Sequence, residues 1–166
     1  MKRLPYLLIS AAVIVLDLVT KALVLDHLAL QEAVSVIPGL FQLVHVHNDG
    51  AAFGIGANSA SPLIPLLLGI GALAVFFLVM FYSFRTALSD RVLQIGLHLI
   101  LGGAIGNLLD RFRFGYVVDF LDFYVKLGTT PHHWPAFNIA DSAICVGIAL
   151  LFVDMWKSPR RSQDPA

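Results

Sequence analysis

Apolar residues run along this chain in four long blocks, Leu4–Leu25, Leu63–Phe84, Val92–Leu109 and Ala136–Trp156, with the polar residues gathered mostly between them. A helix rises about 1.5 Å per residue, so about 20 apolar residues are needed to cross about 30 Å of hydrocarbon. The pattern therefore predicts an all-α membrane protein of four transmembrane helices, with residues 1–166 forming a single membrane domain. No stretch is left that could build a soluble second domain.

The segments between the blocks are short but patterned. In residues 31–56, Phe41, Leu43, His45 and His47 alternate with Gln42, Val44, Val46 and Asn48, the period of two that marks a strand. Pro38-Gly39 and Asn48-Asp49-Gly50 bring turn chemistry to either side, so a small β-sheet is expected here. Residues 114–125 (FGYVVDFLDFYV) are apolar and aromatic, yet at 12 residues too short to span. They are expected to form an interfacial or re-entrant segment between helices 3 and 4. Gly128–Pro135 reads as a loop, the second helix as uncharged scaffold, and the tail after Ser158 as polar and disordered.

Composition agrees. The chain is 58% hydrophobic and 13% charged, with a mean hydropathy of +0.81, far from the balance of a soluble domain. The formal net charge of zero gives no sign of a nucleic-acid partner, and the single cysteine, Cys145, excludes an internal disulfide and is expected simply to pack. Lys2, Arg3, Arg85, Arg91, Lys157, Arg160 and Arg161 account for 7 of the 11 basic residues and flank the ends that share one side of the bilayer. The positive-inside rule puts those ends, and both termini, in the cytoplasm. The N-terminal run is long, carries Asp17 and Lys21, and lacks a small-x-small site, so cleavage as a signal peptide is not expected.

Charged groups in hydrocarbon cost several kcal/mol unless they face protein or water, and so mark function. Counted at about 1.5 Å per residue from the cytoplasmic end, Asp17 and Lys21 lie at about 20 and 26 Å, Asn107 and Asp110 at about 22 and 27 Å, and Asp141 and Asn138 at about 22 and 27 Å. Three helices thus place polar groups in one layer, the outer third of the bilayer. Asp17 and Lys21 are spaced i,i+4 and pair on one face; Asn107/Asp110 and Asn138/Asp141 are spaced i,i+3. Gly102, Gly103 and Gly106 allow close helix contact beneath Asn107. Asp119, in the segment between helices 3 and 4, is positioned to be laid over the same layer.

The chemistry left to such a layer is that of carboxylates. The chain has no His-Glu-x-x-His pair, no Gly-x-Ser-x-Gly elbow, and no histidine at helical spacing from Ser142, and neither metal nor cofactor is expected. Two aspartates held close cannot both ionise, so one activates water while the other, protonated, polarises a carbonyl.

The motifs that carry these residues are Asp17-x-x-x-Lys21, Asn48-Asp49-Gly50-Ala51-Ala52-Phe53, Gly102-Gly103-Ala104-Ile105-Gly106-Asn107-Leu108-Leu109-Asp110-Arg111, Val117-Val118-Asp119-Phe120 and Pro135-Ala136-Phe137-Asn138-Ile139-Ala140-Asp141-Ser142. In this order they resemble bacterial lipoprotein signal peptidases, the signal peptidase II family, over nearly the whole chain. The resemblance implies cleavage of prolipoproteins before the diacylglyceryl-modified cysteine, in the bacterial inner membrane, with the site facing the outer leaflet. It implies that Asp119 and Asp141 are the catalytic dyad, that Asn48 and Gly50 line the substrate cleft, and that Asn107, Arg111 and Asn138 shape the site. It also implies sensitivity to globomycin; a monomer in contact with membrane lipid is expected. Two departures stand out: Asp49 occupies a position that is usually threonine, and the loop Lys126–His133 is longer than typical.

Plainer readings stand beside these. Asp17–Lys21 reads equally as a structural ion pair, Asp110 and Arg111 as support, and Asn48 as a turn residue. His45 and His47 share a strand face that is expected to be solvated rather than metal-binding. Arg113, Asp122 and Lys126 read as headgroup-level charges, and Asp90 and Asp154 as inert. The alternative function is a small proton- or ion-coupled transporter, although the chain shows no repeat and its polar layer is off the midplane. An inert anchoring subunit would leave the polar layer unexplained.

Overall fold

A computed structural model describes residues 3–50, 63–128 and 130–157 of the chain. The elements in order are α1 (Leu4–His27), β1 (Ala33–Ile37), β2 (Phe41–Asn48), α2 (Leu63–Arg85), α3 (Arg91–Phe114), β3 (Val117–Leu127), β4 (Thr130–His133) and α4 (Ile139–Lys157). The four expected helices are present. α1, α3 and α4 are each long and apolar enough to cross a membrane, and α2 contributes the apolar helical stretch Gly69–Arg85. Ala51, Ala52 and Phe53, together with the tail that carries Arg160 and Arg161, lie outside the described residues.

The bundle is built with its polar side inward. On α1 the buried residues are Tyr6, Ser10, Val13, Asp17, Lys21 and Val24, a single stripe at spacings of three and four. Leu7, Leu8, Val15, Leu16, Val19 and Leu23 on its other sides are exposed, which suits a surface bathed in lipid tails. α3 is the central helix, packed against α1, α2 and α4. Close approach is what its glycines provide. A Cβ on Gly103 would strike the Ala140 carbonyl oxygen, one on Gly106 would come within 2.6 Å of the Asp17 carboxylate, and one on Gly102 within 2.9 Å of the Ser10 carbonyl. Gly96 and Gly147 make a similar contact between α3 and α4, each limited by the other's carbonyl at 2.9 and 2.7 Å.

One end of the bundle is tied by side chains that satisfy helix carbonyls. The guanidinium of Arg3 donates to Ser83 O and Phe84 O at 3.1 Å, Gln94 donates to Ser83 O and Thr86 O at 3.1 Å, and the Tyr6 hydroxyl donates to Leu88 O at 3.0 Å. These donors occupy carbonyls at the end of α2, which have no helical partners, and in the connection that follows it. The sheet covers the opposite end.

That sheet has four antiparallel strands in the order β1-β2-β3-β4. β1 and β2 turn at Pro38-Gly39, where Gly39 takes φ 80° and Leu40 N–H donates to Ile37 O at 3.0 Å, a type II geometry. The segment expected at the interface, 114–125, is itself part of the sheet, since 117–127 form β3. Its period of two is hidden because Val117 to Phe120 are all buried, so both faces of the strand are covered. The expected loop also contains strand: β4 pairs with β3 from Tyr124↔His133 to Leu127↔Thr130, with Gly128 at φ 68° in the turn.

Two helix boundaries differ from expectation for local reasons. α3 continues past Leu109 to Phe114 because Asp110 and Arg111 find partners within the protein, and it stops at Gly115 in the left-handed region (φ 82°), whose N–H donates to Arg111 O. α4 begins at Ile139 rather than Ala136, because Phe137 is held extended by its bridge to Leu121 on β3.

Gly103→Ala should lower stability by about 1–3 kcal/mol, since the obstacle is backbone. Thermal unfolding in detergent should show a reduced midpoint, with Gly69→Ala, where a Cβ meets nothing within 4 Å, as the neutral control. An unchanged midpoint for Gly103→Ala would mean that α3 and α4 are not this close.

Candidate active site

The polar layer begins at Lys21. Its side chain is only 2% exposed, and its ammonium has three acceptors: Asp17 Oδ2 at 2.7 Å, Asp110 Oδ2 at 2.9 Å and Asn107 Oδ1 at 3.1 Å. An ammonium has three protons, so none is left unused. The two carboxylates bind onward. Asp17 Oδ1 accepts the Ala140 N–H of α4 at 2.9 Å, and Asp110 Oδ2 accepts the Val118 N–H of β3 at 3.1 Å. One buried cation thus connects α1, α3, α4 and β3.

Asn138 stands immediately before α4 as its N-cap. Its Oδ1 accepts the Asp141 N–H at 2.9 Å, while Asp141 Oδ2 accepts the Asn138 N–H at 3.2 Å. This is a reciprocal capping box, with Asp in the place usually given to Glu or Gln. With Asp17 on Ala140, three of the four N–H groups that a helix start leaves without helical partners are satisfied. The expected i,i+3 relation of Asn138 and Asp141 therefore comes from a cap, not from two side chains on one helix face.

Asp119 reaches the site from the strand. The Phe137 backbone pairs with Phe120 and Leu121, which seats Asn138 beside Asp119. On the other side, β2 carries a bulge between Leu43 and Val46 that sets Val46 opposite Asp119 and Asn48 opposite Val117. Asn48 then lies diagonal to Asp119 and donates to it at 2.8 Å.

Each oxygen of the two carboxyls accepts one hydrogen bond. Asp119 Oδ1 takes Asn138 Nδ2 at 2.8 Å and Oδ2 takes Asn48 Nδ2 at 2.8 Å; Asp141 Oδ1 takes Asn107 Nδ2 at 2.7 Å and Oδ2 the Asn138 N–H. The asparagines cannot be turned around. The carbonyl oxygen of each faces a pure donor: Lys21 for Asn107, Asp141 N–H for Asn138, Gly50 N–H for Asn48. Their amino groups are thereby left to point at the carboxyls. Burial above all, with the charge of Asp141 next, pushes the Asp119 carboxyl up to about 7, against the opposing hydrogen bonds from Asn48 and Asn138. Arg111 donates to Gly50 O at 3.1 Å and so holds the end of β2.

Two cavities flank this group. One of about 380 Å³ lies between α2 and α3 and is lined by Gly71, Ala72, Val75, Asn107, Arg111 and Asp141. The other, about 450 Å³, is lined by Asp119, Trp134, Phe137, Asp141, Ser142 and Cys145. Asp141 borders both. Two carboxyls that share a buried polar wall between two largely apolar cavities are equipped for acid–base chemistry on an amphipathic substrate.

The family model described as signal peptidase (SPase) II matches residues 9–157. The lipoprotein signal peptidase of Syntrophotalea carbinolica is 48% identical over 158 residues, covering 95% of this chain and 94% of that protein. That of Desulforapulum autotrophicum is 49% identical over 144 residues, covering 86% of each. A solved structure described as a bacterial membrane enzyme superposes with a TM-score of 0.77 at 27% identity, covering 98% of this chain and 94% of its own. The chain belongs to the signal peptidase II family. It is accordingly an aspartic-type endopeptidase and a multi-pass protein of the inner membrane.

The structure brings Asp17, Lys21, Asn48, Gly50, Asn107, Asp110, Arg111, Asp119, Asn138 and Asp141 into one connected group. Asp49 is exposed beside it. Three expectations fail nearby. Asp122 is not a headgroup charge but buried, accepting from Gln42 at 2.7 Å and contacting His133 Nδ1 at 2.8 Å. Cys145 is exposed along a cavity wall rather than packed. α2 is more than scaffold, since its Gly71, Ala72 and Val75 line a cavity, and the small-residue run from Gly69 to Ala74 was the available signal.

Replacing Lys21 with methionine should be costly. It leaves the Asp17 and Asp110 carboxylates buried without their cation, a loss of about 3–5 kcal/mol for a broken buried pair. Detergent unfolding should show a larger drop for Lys21→Met than for Asp17→Asn, which keeps an acceptor for the Ala140 N–H. Equal, small effects would mean that the network is peripheral.

Proposed function

We propose that this member of the signal peptidase II family removes signal peptides from diacylglyceryl-modified prolipoproteins, cutting before the lipidated cysteine, with Asp119 and Asp141 as the catalytic pair. The observation that carries the assignment is the bonding of these two carboxyls by three orientation-locked asparagines at a wall shared by two apolar cavities. One cavity wall suits the apolar signal sequence and the other the acyl chains, and each buried methylene is worth about 0.8 kcal/mol.

The roles follow from the surroundings. Asp119 lies on a strand, and its carboxyl holds a proton up to about pH 7. Asp141 lies in the first turn of α4, where the helix dipole favours a negative charge. Asp141 takes a proton from water as the water oxygen attacks the scissile carbonyl carbon, and Asp119 gives its proton to the carbonyl oxygen. The resulting gem-diol collapses: the C–N bond breaks, the proton on Asp141 passes to the departing nitrogen, and a hydroxyl proton returns to Asp119. The products are a carboxylic acid on the signal peptide and a free amine on the cysteine. Asn48, Gly50 and Arg111 are read as lining the path of the substrate backbone. Globomycin-type inhibitors would compete for the same wall, and the chain is read as working as a monomer.

Asp119→Asn and Asp141→Asn should each abolish cleavage of a lipidated prolipoprotein by the purified protein, and the double variant should be hardly worse than either, because residues acting as a unit are not additive. The rate should fall as pH rises through about 7, when Asp119 loses its proton. The same shift makes the folded state the better proton binder between the ordinary Asp pKa, about 4, and about 7. The stability due to this group is therefore complete below about pH 4 and lost as pH rises through about 7. The unlipidated precursor should be cut far more slowly. Substantial turnover by either single variant would overturn the two-aspartate reading.

Orientation belongs to the same proposal: both termini cytoplasmic, the sheet and dyad toward the outer leaflet. The basic residues at the α2–α3 connection and at the chain ends support it. Tags at either terminus or between Arg85 and Arg91 should be reached only from the cytoplasm, and an externally accessible C-terminus would reverse the assignment.

A further inference from the structure

We propose that His45 and His47 form a second site, separate from the dyad, that binds a borderline transition-metal cation of the Zn²⁺ or Cu²⁺ class. The two rings meet on one side of β2, with Nε2 of His45 3.1 Å from Nε2 of His47. Two imidazole nitrogens at a Zn–N distance of about 2.05 Å and this separation subtend about 100° at the ion, near the tetrahedral angle. An ion between them therefore needs little movement of either ring.

Both rings are already held. His45 is buried, and its Nδ1 lies 2.9 Å from the Leu28 carbonyl. A carbonyl only accepts, so the proton is on Nδ1 and the neutral ring turns the lone pair of Nε2 toward His47. A backbone carbonyl behind the ligating histidine is the usual outer support of a metal site. His47 is stacked on Tyr116 at 3.7 Å between centroids and 15° between planes, and Tyr116 is stacked in turn on Phe114. Without a metal, His47 Nε2–H donates to His45 Nε2. When a cation binds, His47 Nε2 gives that proton to solvent, its Nδ1 takes one from solvent, and the neutral ring ligates through Nε2 with no net proton change.

His47 is half-exposed, which leaves a way in, and Asp49, two residues along the chain, is exposed as well. Among the described residues no three His, Cys, Asp or Glu side chains converge in ligand range, so the imidazoles supply a two-point chelate and water fills the remaining positions. Soft-to-borderline ions suit such a site better than Mg²⁺ or Ca²⁺. The site adjoins Asn48, which bonds Asp119, so an ion there lies one residue along the strand from the dyad's support.

The test is calorimetric titration of the full chain, free of any oligohistidine tag and in detergent micelles, with ZnCl₂. One zinc per chain should bind, and His47→Phe, which keeps a ring to stack on Tyr116, should weaken binding by at least about tenfold. His132→Phe, on β4, should bind as the unaltered chain does. Should His47→Phe not fold, the visible spectrum of Co²⁺ added to the unaltered chain decides: d–d bands of a nitrogen-ligated ion are expected. Absence of zinc binding, equal affinity in a folded His47→Phe, or a Co²⁺ spectrum identical to that of the aquo ion would overturn the site.

Discussion

A single buried ammonium sets the terms for the sheet end of this protein. Lys21 can stay charged there only if each of its protons is received, and the receivers come from two helices: Asp17 on α1, and Asp110 and Asn107 on α3. Once those groups are fixed, little freedom remains for the rest. Asp17 must face α4, because its second oxygen takes the Ala140 N–H; Asp110 must face β3, because it takes the Val118 N–H. The ion cluster is a joint between elements that the hydrophobic effect alone would not fix, since lipid tails are as apolar as the helix surfaces they touch.

The joint also explains why amides, rather than more charges, surround the carboxyls. Asn107 turns its oxygen to Lys21, so its amino group must turn to Asp141. An aspartate in that position would satisfy Lys21 equally well but would set another negative group against Asp141. A leucine would leave both sides unpaired. Only a side chain that accepts on one edge and donates on the other passes the order from the cation to the carboxyl. Asn138 and Asn48 do the same from a helix cap and a strand end.

How much of this could be read from the chain alone depends on which physical signal each part uses. The helices were legible because hydrocarbon demands long apolar runs, and Asp17, Lys21, Asn107, Asp110 and Asp141 were legible because polar groups are rare and costly within such runs. β1 and β2 declared themselves through alternation and Pro38-Gly39. β3 did not, because both of its faces are covered where Asp119 lies, and alternation reports only a strand with one wet face. The cap made by Asn138 and the bulge that aims Asn48 were hidden for another reason: both depend on long-range pairing, of Phe137 with Leu121 and of β2 with β3. His45 looked solvated, though it is buried, because the period-two pattern carries no information about Leu28, whose carbonyl bonds its ring, or about Tyr116, on which His47 stacks.

The two carboxyls are therefore held by different kinds of structure, one by a helix start and one by a sheet, and the proposed chemistry falls at the seam between them. Had both come from helices, any sliding of the bundle would change their separation. Here the backbone of Phe137 is bonded to Leu121 on the strand at 2.8 and 3.1 Å, one residue before the cap of α4 and two residues after Asp119. The residue that leads into the helix cap is thus also a one-residue bridge to the strand that carries Asp119. The distance between the groups is set by covalent geometry and a pair of backbone hydrogen bonds, which are short and directional, rather than by side-chain packing, which tolerates substitution. Apolar surfaces of α2, α3 and α4 are left free to line the cavities and to vary with what must be bound, without moving the two carboxyls.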